Sequence, residues 1–122
     1  MGLFSSHEVD PAEIHEKYGH ALIDGEQVLA AFRSLRDTAF LTNLRFVLVD
    51  VQGITGSKIA FRSVPYRSIT SFSVESTGTF DLDSDLHLWV TGQATPMVLK
   101  VSRKADPAAI QRLLAEQVLA KR

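Results

Sequence analysis

Between Thr38 and Ser76 the chain reads TAFLTNLRFVLVDVQGITGSKIAFRSVPYRSITSFSVES, a succession of short apolar runs broken at Thr42-Asn43, Gln52-Gly53 and Val64-Pro65. Runs this short, rich in β-branched and aromatic residues, predict three or four strands in a row. Connections of so few residues leave room only for reversals, so successive strands must pair antiparallel. The remainder of the fold has to be built around that meander.

The neighbouring segments extend it. Gln27 to Arg36 is apolar on both sides, Val28, Ala30 and Phe32 against Leu29, Ala31 and Leu35, and predicts a strand buried on both faces. A short break at Asp37-Thr38 leads to a second strand, Ala39 to Leu41, and Asn43 suits the reversal that follows because it tolerates positive φ. Arg45 to Val51 is a strong strand, and Gln52 to Ser57 is a loop with two glycines. Lys58 to Val64 predicts a half-buried strand with Ile59 and Phe61 opposed to Lys58, Ala60 and Arg62; Pro65 ends it, having no N–H for a ladder. Ile69 to Ser76 is the next strand. Leu82 to Thr91 gives the cleanest alternation, with Leu82, Leu86, Leu88 and Val90 on one side, Ser84 intruding among them, and Asp83, Asp85, His87 and Trp89 on the other. Met97 to Ser102 is the last strand.

Two helices flank the strands. Asp10-Pro11 pairs a good N-cap with a residue suited to the first helical position, and Ile14, Tyr18 and Leu22 predict a short helix over about Pro11 to His20, with Glu13 placed for a capping box. Asp106-Pro107 repeats the signature. Ile110, Leu113, Leu114 and Val118 then form the stripe of an amphipathic helix, closed by the cations Lys121 and Arg122. A meander of about seven strands must hide its apolar face, and the last helix is the available stopper. The expected class is therefore mainly β with flanking helices: a bent antiparallel sheet or partial barrel capped by the C-terminal helix.

Composition narrows the chemistry. At 122 residues the chain suits one domain, taken as residues 10–122 behind a flexible N-terminal stretch of residues 1–9. A net charge of −1 offers no global attraction to nucleic acid, and the absence of cysteine excludes disulfides, thiolate metal sites and cysteine nucleophiles. No run approaches the ~20 apolar residues of a membrane span, and the start MGLFSSHEVD lacks the basic and apolar regions of a signal peptide. It does carry Gly2 and Ser6 in the spacing of a myristoylation pattern. A cytoplasmic location is the expectation.

Candidate catalytic and metal motifs fail on spacing. Counted from Asp81, the sixth and twelfth positions of a calcium loop hold Leu86 and Gly92 where glycine and glutamate are needed. His15 and His20 are five apart, which turns them about 140° from each other on a helix. No serine lies in a G-x-S-x-G elbow, and Gly53 to Lys58 lacks phosphate-loop spacing. No catalytic residue, metal ligand or cofactor is assigned.

Two constellations remain. Arg33, Arg36, Arg45 and Lys58 are a candidate anion-binding set, because phosphates are held by several convergent donors. The loop they would need, Asp37-Thr38, is short and acidic; solvated charges or intersubunit pairs are the competing reading. With Leu3 and Phe4, the same cations would support the alternative function of a peripheral binder of anionic phospholipid. Trp89, opposite the leucines of its strand, either anchors an interface or lies in a second small core under the first helix. Phe32, Leu35 and Trp89 are the residues expected at an interface.

The segments LIDGEQV (Leu22 to Val28), FLTNLRFVLVDVQGITG (Phe40 to Gly56) and SVPYRSITSFSVESTGTFDLDSDLHLWVTG (Ser63 to Gly92), with the closing helix, resemble a family of small bacterial proteins with a pleckstrin-homology-like (PH-like) domain. The resemblance covers nearly the whole chain from Val9 and implies a PH-like fold, no enzymatic activity, and ring-form homo-oligomers, with five subunits the size it suggests. Leu44 stands where that family usually has lysine before the arginine of the TN-x-R turn, which weakens that turn as an anion clamp.

Overall fold

The computed structural model describes residues 9–76 and 83–121. Seven strands form two antiparallel sheets. The first sheet runs β1 (Val28–Ser34), β2 (Asp37–Thr42), β3 (Arg45–Gln52) and β4 (Lys58–Pro65) in chain order. The second runs β5 (Ile69–Glu75), β6 (Ser84–Val90) and β7 (Met97–Val101). Helices α1 (Pro11–Tyr18) and α2 (Pro107–Val118) flank them. This is the expected class, mainly β with seven strands and a closing helix.

The main core lies between the sheets. Phe32, Leu41, Phe46 and Leu48 of the first sheet meet Leu86, Leu88, Leu99 and Val101 of the second, and α2 closes the space with Ile110, Leu113 and Leu114. The alternation of β6 is obeyed: Leu86 and Leu88 are inside, and Ser84 is buried with them. Asp106 caps α2 as its sequence implies, its carboxylate accepting from Ala109 N–H at 3.2 Å. Where β1 approaches β7, the Lys100 N–H donates to Ser34 Oγ at 2.8 Å, a bond between the two sheets. Tyr66 ties the β4–β5 corner to β2, its hydroxyl donating to the Thr42 carbonyl at 2.6 Å.

A second core explains the two apolar faces of β1. Ala31, Phe40, Val47 and Val49 point away from the main core and are covered by Val9, Ile14, Tyr18 and Leu22. The cover is therefore α1 and its flanks, within the same chain, and doubly apolar strands in this protein are no evidence for a neighbouring subunit. Val9 pairs with Ala31 and is buried, so it belongs with the folded body; residues 1–8, which include Leu3 and Phe4, lie outside the described residues. Glu13 does not complete a capping box, since its carboxylate turns to Arg33 at 3.9 Å; Asp10 caps α1 through Ala12 N–H at 2.9 Å.

The β1–β2 reversal differs from expectation in position. Asp37 and Thr38 are inside β2, and the turn is Leu35-Arg36, with Leu35 at φ 57. Asp37 earns its place in the strand by accepting from Val51 N–H at 2.8 Å, which anchors β2 against β3.

Candidate functional site

The four candidate anion-binding residues are not brought together. Arg45 is spent on structure. Its guanidinium grips Glu26 with two bonds, Nε to Oε2 at 2.8 Å and Nη2 to Oε1 at 2.9 Å, and also donates to the Ala21 carbonyl and Ser63 Oγ, each at 2.8 Å. Glu26 accepts further bonds from Thr42 Oγ1 at 2.7 Å and Ile23 N–H at 3.1 Å. Burial alone would raise the Glu26 carboxyl, but the donors from Arg45, Thr42 and Ile23 outweigh it and hold it below the ordinary carboxylate value. Donating those bonds to Glu26 raises Arg45 in turn. This network joins the segment before β1 to the β2–β3 turn and leaves Arg45 little capacity for an anion.

Arg36 is likewise committed. It donates to the carbonyls of Gly53 at 2.7 Å and Val51 at 2.9 Å, clipping the β1–β2 turn to the β3–β4 loop. Lys58 lies at that same end of the sheet, opposite Gln52. Arg33 is on the α1 side beside Glu13.

Of the three candidate interface residues, Phe32 has no exposed surface, being wholly inside the main core. Alternation on β1 could not show that both of its apolar faces are covered within the chain. Leu35 is 87% exposed at the tip of its turn. Trp89 is on the outer face of the second sheet, 37% exposed and stacked on His87 with ring centroids 5.7 Å apart. The second core under α1 does not include it.

The surface that sequence reasoning passed over is β4. It is the last strand of its sheet, so among the described residues one edge of its backbone has no strand beside it. Its apolar row, expected to be the buried side, is uncovered: Ile59 is 61% exposed, and Phe61 37%, its ring meeting Tyr18 and Phe40 at centroid distances of 6.1 Å. The Phe61 end of that row is sheltered by Tyr18, the last residue of α1. β5 is the matching edge of the second sheet, with Phe72 and Val74 half-buried along one face and Ser71 and Glu75 exposed on the other. The available signal was the alternation of Lys58 to Arg62 itself; that its apolar row faces the α1 side is decided by the side of the sheet on which the helix packs.

A family model described as "Bacterial PH domain" matches residues 1–118. The chain belongs to the bacterial PH-domain family. In sequence this PH domain is 48% identical over 105 residues to the uncharacterized protein YjqA of Bacillus subtilis, covering 85% of the chain and 84% of that protein. In structure it is similar to a DUF1696-family protein with a pleckstrin-homology domain from Shewanella loihica, with TM-score 0.81, 41% identity, and coverage of 92% and 96% of the two chains. A pleckstrin homology domain from Shewanella amazonensis gives TM-score 0.78 and 37% identity over 95% of this chain and 94% of that one. These likenesses span most of the chain and agree with a binding or interaction module.

Proposed function

We propose that this bacterial PH domain is a non-enzymatic interaction module of the cytoplasm that self-associates into a ring-like homo-oligomer, with five subunits the size suggested by the family resemblance. The observation that carries the reading is that, among the described residues, β4 is a sheet edge with Ile59 exposed and Phe61 partly exposed beside it. An exposed strand edge presents unpaired N–H and C=O groups, and proteins ordinarily blunt it with charge, proline or a covering element. β4 carries such devices in Lys58, Arg62 and Pro65, but its other face is apolar and exposes Ile59, and that face supports a partner there. The sequence supports the non-enzymatic half of the reading, since it holds no nucleophile elbow, phosphate loop or helical histidine pair at working spacing.

Multi-angle light scattering on the purified chain at tens of micromolar tests it. A mass several times that of the monomer is expected, and Ile59→Lys should lower that mass while leaving the circular dichroism spectrum unchanged. A wild-type chain that stays monomeric sinks the reading.

A further inference from the structure

We propose that His87 is a proton-operated latch on the outer face of the second sheet, one that ties Glu75 of β5 to Trp89 of β6 when the imidazole takes up a proton. Alternation puts Ser73 and Glu75 of β5, Asp85, His87 and Trp89 of β6, and Val98 and Lys100 of β7 on that face, with Ser73 and Val98 directly opposite His87. The imidazole stacks on Trp89, the ring centroids 5.7 Å apart and the planes 21° apart, and its side chain is only 19% exposed. Nδ1 is buried and has no hydrogen-bond partner among the described residues. Glu75 Oε2 stands 3.6 Å from it, beyond hydrogen-bond distance. That carboxylate oxygen also accepts from Ser73 Oγ at 3.4 Å, and the Glu75 side chain is 63% exposed, which leaves it room to move.

A buried polar nitrogen without a partner costs free energy, and the neutral ring carries that cost. A proton from solvent changes it. Nδ1 becomes a donor, and a short movement of the Glu75 carboxylate closes a charge-assisted N–H···O bond across the two strands. The imidazolium also gains a cation–π attraction to the indole stacked on it. One proton therefore sets the arrangement of three side chains. The other charges on this face answer each other, since Lys100 of β7 pairs with Asp85 at 3.0 Å; among the described residues Glu75 is the carboxylate paired with His87. The grouping of Ser73, Glu75 and His87 is not a nucleophile relay, because the serine hydroxyl reaches the carboxylate and not the ring.

Trp89 is the single tryptophan of the chain, so its emission reads the latch without interference from a second indole. An imidazolium stacked on indole quenches it by accepting an electron from the excited ring. Emission from the full chain should fall sigmoidally as the pH is lowered through the range in which imidazole titrates, about pH 8 to 5. His87→Phe keeps an aromatic ring on Trp89 but cannot take up the proton, and should give a flat profile with an unchanged circular dichroism spectrum. Glu75→Gln leaves His87 in place and should keep the sigmoid but lower its midpoint by about half a unit, because an opposite charge at this range favours the charged ring. Light scattering at both ends of the titration should return the same mass. A flat wild-type profile, a sigmoid that survives His87→Phe, or a midpoint unmoved by Glu75→Gln overturns the latch. So does a mass that changes along with the emission, which assigns the signal to assembly. If His87→Phe does not fold, the Glu75→Gln shift decides alone. The latch lies within one chain, so a monomeric wild type, which would sink the self-associating reading, does not touch it.

Discussion

Glu26 and Arg45 show how one buried pair can decide what a basic residue is free to do. The Glu26 side chain is fully enclosed and Arg45 is partly so; an ion pair this far from water gains from Coulomb attraction only because its remaining lone pairs are satisfied. Thr42 and Ile23 supply those bonds. Replacing Glu26 by Gln would leave the guanidinium facing a neutral amide in a dry site. We expect a loss of about 2–4 kcal/mol at pH 7, the upper part of the range for a broken buried pair being trimmed by the partial exposure of Arg45. The pH dependence has a definite sign. Because the folded carboxyl lies below its ordinary value of 4.5, its contribution is fully present above that pH and fades as pH falls through the lower folded value. Urea unfolding of wild type and Glu26→Gln should therefore show a gap that is wide at pH 7 and narrows below pH 4.5. A constant gap down to pH 3 would mean the pair contributes nothing through its charge.

At the scale of elements, α2 and β4 illustrate opposite fates of an apolar row. The row of α2 is swallowed by the main core, and Leu114 is fully buried there. Truncating it to alanine removes three heavy atoms and leaves a cavity that packed sheets only partly close, so Leu114→Ala should cost about 3 kcal/mol. Leu119, one residue past the helix and 74% exposed, should tolerate the same change within about 0.5 kcal/mol. Chemical denaturation of the two variants side by side checks the claim that α2 is a structural stopper. The β4 row is covered only at Phe61 and is open at Ile59. Its strand was legible from Lys58 to Val64, and its termination at Pro65 agrees with the structure, but its exposure was not, because alternation says which residues share a face and not what lies over that face. The β1–β2 turn was misplaced by two residues for a related reason: Leu35 is a poor residue for positive φ, and no local signal marked it as the turn.

For the whole molecule, assembly and stability are linked. If copies associate through folded edges, dilution shifts the balance toward subunits that unfold more readily, and the melting temperature should rise with protein concentration. Scanning calorimetry across a hundredfold concentration series would read this directly; a melting temperature independent of concentration would speak against assembly by folded edges. The seven strands of the described residues, their antiparallel order, the capped helices and the mainly β class were legible in the sequence alone, since period-2 and period-3.6 patterning, proline and capping residues act within a few positions of one another. Which face of β1 is the main core, that α1 covers the other, that Arg45 closes on Glu26, and that β4 keeps an open edge were decided only in the tertiary structure. These depend on segments as much as 66 residues apart meeting in space, and no local pattern carries that distance.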